Sequence, residues 1–445
     1  MSSTDKTSKP RSEPPFQELR EWLAWQETAA PKEIDLGLDR CRRVAENMSI
    51  DCSGAIVVTI AGTNGKGSSL TMLEKTWIAA GYSVAAYTSP HMIAYNERIR
   101  FAGVPISSAR ICDAFQEIEE HRGDVHLTYF EYGTLAALKI FQSLRPDIIL
   151  LEVGLGGRLD AVNIIDPDVA LITSIGIDHV EFLGSDRESI GFEKAGIMRA
   201  GQDAVCSDPH VPNSVVEFAE LCGASLEVLG VGFRFSEHDD CWDWWNGKTE
   251  LLALPKPKLI GDYQFRNASG VLQVIDLLQE RVPVARPIIN DMLRTVTLWG
   301  RFQRFPGAVE YIFDVAHNVQ AVEQFVETLA KLEPQGITHL VLGMLKTKDR
   351  LAVMSVLKPA IDRWYLASVN ARRGATSDEL FESLREINSA KSVAQFDTVF
   401  DALQAASKVA KEGDRIVALG SFLVVSEALR YINQTDDYAI GDQRA

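Results

Sequence analysis

The segment Ala61-Gly62-Thr63-Asn64-Gly65-Lys66-Gly67-Ser68-Ser69 has the composition of a phosphate cradle. Glycines let successive backbone N–H groups turn toward one anion, and the N-terminus of a following helix adds partial positive charge. Lys66 then reaches the terminal phosphates, so Thr63, Asn64, Gly65, Lys66, Gly67 and Ser68 are expected to hold ATP or a similar nucleotide. The loop departs from the common G-x-x-x-x-G-K-[ST] form, because Ile60 stands at the first glycine position and Gly67 directly follows the lysine. A hydroxyl is therefore not in its usual place for magnesium, and the metal ligands must be sought elsewhere.

Such a cradle needs a strand behind it and a helix in front. Between residues 55 and 175, apolar runs alternate with helical stretches, as in crossover units that build a mainly parallel sheet. The runs at 55–61, 83–88, 147–153 and 168–173 are dense in Val, Ile, Leu and Ala rather than alternating, which suits strands covered on both faces. Helices are expected at 68–80 and 130–144. In open parallel sheets ligands gather beyond the carboxyl ends of the strands. There the second run delivers Ser89, the third Glu152 and the fourth Asp178-His179. Magnesium prefers oxygen ligands and binds nucleotide phosphates through one or two carboxylates, so Ser89 and Glu152 are expected as ligands, with His179 completing a second site.

The remaining chain supplies further elements. Residues 226–254, with Cys241-Trp242-Asp243-Trp244-Trp245 and the turn-like Asn246-Gly247, predict a hairpin-rich lobe in which the tryptophans serve packing. A Pro-punctuated helix at 283–299 leads to a second alternation, with strands at 311–315, 338–342, 363–367 and 415–419. The expected fold class is α/β: a P-loop-type, mainly parallel sheet domain with a small β-rich lobe, followed by a smaller Rossmann-like α/β domain. The expected boundaries are a disordered tail at 1–15, an ATP-binding domain at 16–296 and a C-terminal domain at 297–445. A chain of 445 residues exceeds what one core usually supports. Its net charge of −16 argues against a nucleic-acid scaffold. Six cysteines without a C-x-x-C pair fit reduced thiols in a cytoplasm, and no apolar run is long enough to span a bilayer.

Six segments, taken together and in order, resemble the folylpolyglutamate synthase family: residues 60–68 (IAGTNGKGS), 87–91 (YTSPH), 127–133 (LTYFEYG), 151–160 (LEVGLGGRLD), 193–197 (EKAGI) and 313–318 (FDVAHN). The 127–133 block and residues 34–39 (IDLGLD) are most similar to the bifunctional bacterial type, which is both a dihydrofolate synthase and a folylpolyglutamate synthase. The resemblance implies ATP-dependent addition of L-glutamate to dihydropteroate and to folates through an acyl phosphate, by a cytoplasmic monomer. It also implies two magnesium ions on Ser89, Glu152, His179 and Lys194, the last as a carbamate. There is a physical reason for that modification, since an ammonium beside divalent cations repels them whereas a carbamate is an anionic oxygen ligand. Asn267, Arg301 and Asp314 would touch the nucleotide, and Lys66, Lys194 and His317 would serve catalysis. Glu33, Ile34, Asp35, Thr128, Tyr129, Phe130, Glu131, Leu159, Asp160 and Ala161 would line the pterin pocket. A ligase acting on a cell-wall precursor shares the phosphate loop but does not predict the 128–131 block. A nucleotide switch without ligation would not need the metal residues and Lys194 together.

Overall fold

The protein is seen in a computed structural model that describes residues 14–30, 32–332, 336–387 and 392–434. All but the last two residues of the expected N-terminal tail lie outside the described part. The first sheet contains β1 (Ile56–Ala61), β2 (Val84–Tyr87), β3 (Ile99–Phe101), β4 (Val104–Pro105), β5 (Ile148–Glu152), β6 (Val169–Ile172), β7 (Asp203–Cys206) and β8 (Ser225–Val228). Their order is β4-β3-β2-β5-β1-β6-β7-β8, parallel from β2 to β8 with an antiparallel edge at β3 and β4. The unbroken apolar runs have a direct cause. In β1, Val57 and Ala61 enter one core with Tyr87, Leu151 and Ile172, whereas Ile56, Val58 and Ile60 enter the opposite core with Leu70, Trp77 and Val271. Helices Lys66–Ala79 and Tyr129–Leu144 occupy the places expected for them.

The lobe is a three-stranded antiparallel sheet of β9 (Phe233–Glu237), β10 (Cys241–Asn246) and β11 (Glu250–Pro255). Residues 226–228, expected at its start, instead belong to β8 and pair with β7 as the edge of the first sheet. Their half-buried pattern is that of a sheet edge, which local sequence does not assign to one sheet or another. Trp242 and Trp244 point to the same face, two residues apart on one strand, and are fully buried with Phe265, whose ring meets Trp242 at 5.5 Å. They pack, as their composition suggested; truncating Trp244 to alanine would cost about 3–5 kcal/mol. The Asn246 side chain closes the β10–β11 turn by accepting the Lys248 and Thr249 amides (2.9 and 2.8 Å).

The third sheet contains β12 (Gln303–Phe305), β13 (Glu310–Asp314), β14 (Thr338–Leu342), β15 (Arg363–Ala367), β16 (Ser392–Phe396) and β17 (Arg415–Leu419). Its order is β12-β13-β17-β14-β15-β16, parallel except for β12. Ile312, Leu340 and Leu419 feed a core on one face, and Phe313, Val341 and Ile416 feed another core on the opposite face. No helix among the described residues is long and apolar enough to cross a membrane.

Candidate active site

β1 ends at Ala61, and the chain turns through residues 62–65 into the helix Lys66–Ala79. Gly65 is the helix N-cap at φ 95°, a left-handed conformation that penalises any residue with a Cβ, and a Cβ there would also run into the Asn267 side-chain amide. No side chain caps this helix, so its first-turn amides remain available to an anion. Thr63 is anchored within the protein. Its amide donates to Ser174 O (2.7 Å), and its hydroxyl exchanges hydrogen bonds of 3.0 Å with the Gly176 carbonyl and amide. It ties the loop to the exit of β6, which occupies its own N–H. Lys66 Nζ folds back onto the Gly62 and Thr63 carbonyls (2.9 and 3.3 Å), and desolvation holds its pKa below the ordinary lysine value against the pull of Glu152 and Asp178.

Glu152 ends β5, beside β1, and is 5% exposed. One carboxylate oxygen accepts the Ser89 amide (3.2 Å); the other faces Gly67 and has no hydrogen-bond partner among the described residues. Burial pushes its carboxyl up, and the charge of Lys66 is the first to oppose that. Lys194, near the end of helix Arg187–Ala195, is 3% exposed and makes no ion pair among the described residues. Burial, reinforced by the charge of Lys66, lowers its pKa to about 7. The helix end that carries it can approach closely because Gly157 has no side chain, where a Cβ would press on the Glu193 and Lys194 carbonyls. His179 is held at φ 52° with Nε2 3.4 Å from Lys348 Nζ, and burial followed by the Lys348 charge lowers its pKa to about 3. Its ring is neutral and offers a lone pair.

Among the described residues no three His, Cys, Asp or Glu side chains converge as a ready-made metal cage. The donors that Ser89, Glu152 and His179 carry are too few for such a cage and would leave most of a cation's shell to phosphate and water, whereas an unmodified Lys194 offers no anionic ligand.

From the second α/β unit, Arg301 brings Nη2 to 3.5 Å from where a Gly67 Cβ would stand, with its guanidinium over the Phe422 ring at 5.3 Å. Asp314 has both oxygens engaged by backbone amides, Phe302 and Ala316 at 2.7 Å each, and so folds the Arg301 turn against the 315–318 loop. His317 donates from Nδ1 to Val315 O (2.8 Å) and places Nε2 3.4 Å from Asp178. Asn318 exchanges side-chain amide hydrogen bonds with Asn64 of the phosphate loop (3.1 and 3.2 Å) and also donates to Asp178 (3.1 Å). Lys348 completes the ring at 2.5 Å from Asp178. Burial would raise the Asp178 carboxyl, but the His317 hydrogen bond and the Lys348 charge outweigh it and hold the group well below the usual carboxylate range.

The residues expected around a pterin come together in space. Gly37 N donates to Leu159 O (3.3 Å), and Arg40 bridges Asp35 (3.0 Å) and Glu131 (3.2 Å). The Phe130 ring lies against Gly154, and Tyr129 is half-buried beside Arg98. Three of these residues have structural duties. Thr128 and Glu131 form a capping box for helix Tyr129–Leu144. Asp160 accepts the Leu155 and Val162 amides (2.8 and 3.0 Å), and its carboxyl is pushed up to about 6 by burial. Ile34 is half-buried and Ala161 buried, whereas Glu33 reaches across to Arg373 of the second unit (2.8 Å). A cavity lined by Lys32, Asp35, Arg40, Arg43, His126 and Thr128 opens beside this cluster.

Sequence reasoning assigned no role to Asp178, Asn318, Lys348 or Arg98. Asp178 adjoins His179 and Asn318 ends the 313–318 motif, so both carried a signal; Lys348 carried none, because its partner lies 170 residues away.

Residues 60–213 match the Mur ligase middle domain, and residues 300–422 match the Mur ligase, glutamate ligase domain. The chain is 40% identical over 415 residues to the dihydrofolate synthase/folylpolyglutamate synthase of Escherichia coli (strain K12), spanning 93% of this chain and 96% of that one. Among solved structures, E. coli FolC in complex with DHPP and ADP aligns with a TM-score of 0.88 at 39% identity, over 96% of this chain and 99% of that chain. A bifunctional folylpolyglutamate synthase/dihydrofolate synthase with Mn, AMPPNP and L-glutamate bound aligns with a TM-score of 0.86 at 39% identity, over 94% and 98% of the two chains. Uncapped phosphate helix, strand-end carboxylate and second-unit arginine thus occur in a chain that is similar along nearly its whole length to these enzymes: it belongs to the dihydrofolate synthase/folylpolyglutamate synthase family of Mur ligases.

Proposed function

We propose that this chain is an ATP-dependent ligase that joins L-glutamate to dihydropteroate and to folates through an acyl phosphate. The observation that carries the reading is the unpartnered carboxylate oxygen of the largely buried Glu152, set beside an uncapped helix N-terminus and Lys66 and faced by Arg301 from the second unit. A carboxylate is a poor electrophile until one of its oxygens is phosphorylated. The Lys66 ammonium, the first-turn amides and Arg301 draw charge from the γ-phosphate while the substrate carboxylate attacks in line. The glutamate amine then displaces phosphate and forms the amide. Water would hydrolyse the acyl phosphate, and the contact of the Asn318 and Lys348 loops with the first unit closes the cleft against it.

Magnesium would supply charge neutralisation for the transferred phosphoryl group when bound. Ser89, Glu152 and His179 would hold it, with Lys194 as a carbamate and two ions in all. A lysine with a pKa of about 7 supplies the neutral amine that captures carbon dioxide, losing a proton as the N–C bond forms. An ion at His179 requires the Lys348 ammonium, 3.4 Å from its ring, to withdraw. Asn267, Arg301 and Asp314 belong to the nucleotide, with Asp314 acting through the Arg301 turn. His317 faces the reacting phosphate. Residues 33–35, 128–131 and 159–161 form the pterin end. We place the enzyme in the cytoplasm as a monomer of two domains meeting at residues 296–297, engaging neither nucleic acid nor membrane.

The test is ADP formation with dihydropteroate and with tetrahydrofolate, each with and without L-glutamate, using acceptor labelled with ¹⁸O in its carboxylate. ADP, amide and labelled phosphate are expected only when both acceptor and glutamate are present. ADP release indifferent to glutamate, or turnover of a muramyl nucleotide instead, would sink the reading.

A further inference from the structure

One buried cation near the site has no part in the chemistry above. Arg98 ends the 3-10 turn Tyr95–Arg98, and its carbonyl accepts the Thr88 amide (2.9 Å), which fixes it beside the exit of β2 and the Ser89 loop. It is 8% exposed. Its guanidinium carbon stands 5.3 Å from the Tyr95 ring centroid and 5.5 Å from that of Tyr129, and Nε donates to His91 Nδ1 (2.9 Å). The adjacent acid is turned elsewhere, because Glu97 spends its carboxylate on the amides of Met92, Ile93 and Ala94 (2.7, 2.8 and 2.6 Å). Among the described residues, no carboxylate pairs with Arg98 and no acceptor meets its two terminal nitrogens. Arg100 shows what a satisfied neighbour looks like: it is bidentate on Glu74 (2.7 and 3.1 Å), with Thr88 Oγ1 and Glu97 O on its other nitrogen (2.9 and 2.7 Å).

A guanidinium in a mostly buried side chain whose terminal nitrogens have no protein acceptor among the described residues is open to an anion, and its planar fork matches a carboxylate. The two rings and the imidazole hold that fork in place without neutralising it. Its surroundings say which anion. On one side Ser89 leads by its amide to Glu152; on the other Tyr129 leads to Phe130, whose ring lies against Gly154. We propose that Arg98 binds the carboxylate end of the pteroate-type acceptor, orienting it between the aromatic wall of Tyr129 and the Ser89–Glu152 corner. This assignment rests on the ligase reading above. Arginine keeps its protons, so the role is binding and orientation.

The experiment compares two ligands on wild type, R98Q and R98K, by calorimetry with AMPPNP and magnesium present. The ligands are pteroate and the same molecule with hydrogen in place of the benzoate carboxylate. R98Q should weaken pteroate binding about tenfold to a hundredfold while changing the decarboxylated ligand less than about twofold, and R98K should recover part of the loss. Equal losses for both ligands, or no loss for pteroate, would overturn the proposal and make Arg98 a clasp between the Ser89 loop and helix Tyr129–Leu144. Should R98Q fail to fold, R98K carries the same comparison, since it keeps the charge and loses the fork. Wild-type ADP formation with dihydropteroate and glutamate separates the two failures. If it occurs and the ligands are not discriminated, only the Arg98 assignment falls; if it does not occur, the ligase reading falls and takes this one with it.

Discussion

Two loops of the molecule have the same architecture and opposite characters. Each leaves the carboxyl end of a strand in a parallel sheet and enters a helix, one after β1 and the other after β13. The first has Gly65 as N-cap at φ 95° with no side-chain cap; the second has Asn318 in extended backbone, its side chain accepting the Ala321 amide (3.0 Å). Their acids differ likewise. Glu152 beside the first loop keeps one oxygen free, whereas Asp314 at the base of the second has both oxygens taken by backbone amides. The first loop, with its glycines and Lys66, leaves its helix amides open to an external anion, whereas the second ties its own helix start internally. The two loops meet through Asn64 and Asn318.

The comparison breaks most visibly at the open loop. Lys66→Ala should lower ADP formation about a hundredfold to a thousandfold, because it removes charge from the transferred phosphoryl group; steady-state assay reads this, and full activity would mean the loop holds no triphosphate. Next comes the electrostatic strain around that loop. Lys194 has a folded pKa of about 7 against an ordinary 10.5, so between those values the unfolded chain carries a proton that the folded chain does not. Stability should therefore rise with pH across that window by up to about 1.4 kcal/mol per unit, with the penalty fully present below about pH 7. In carbon-dioxide-free buffer, K194M should be more stable than wild type at pH 7, with the advantage shrinking toward pH 10. A constant difference in denaturant titrations would contradict this.

The second loop gives smaller effects. Asn318→Ala should cost about 1 kcal/mol of stability for the lost cap, visible as a lower denaturation midpoint. It should also reduce kcat, since Asn64 and Asp178 lose a partner. A double-mutant cycle on N64A and N318A should give a coupling of roughly 0.5–1 kcal/mol. Zero coupling would mean that the two loops meet without mutual support.

Much of this was readable before the coordinates, for physical reasons. Strands buried on both faces read as unbroken apolar runs, which is why β1, β2, β5 and β6 were legible, whereas β8, half-buried at an edge, was not. The phosphate loop was legible because its chemistry is local, with glycines, lysine and helix start in one segment. The Thr63 attachment to Ser174 and Gly176 and the Asp178 cluster were not, since their members are far apart in sequence and common in type. Arg98 passed unnoticed because only coordinates reveal that an arginine lacks an anion. Thr128, Glu131 and Asp160 mark the limit of residue type as evidence: the groups that would face a pterin are also those that cap a helix or hold a turn.

The central claim is that Glu152 and the uncapped helix hold one metal-bound nucleotide. It is tested most directly by AMPPNP affinity, measured by calorimetry with and without magnesium on wild type and E152Q. Magnesium should tighten binding to wild type at least about tenfold, and E152Q should abolish most of that gain while leaving metal-free affinity within about threefold. An E152Q protein that keeps the full magnesium gain would place the metal elsewhere and contradict the account.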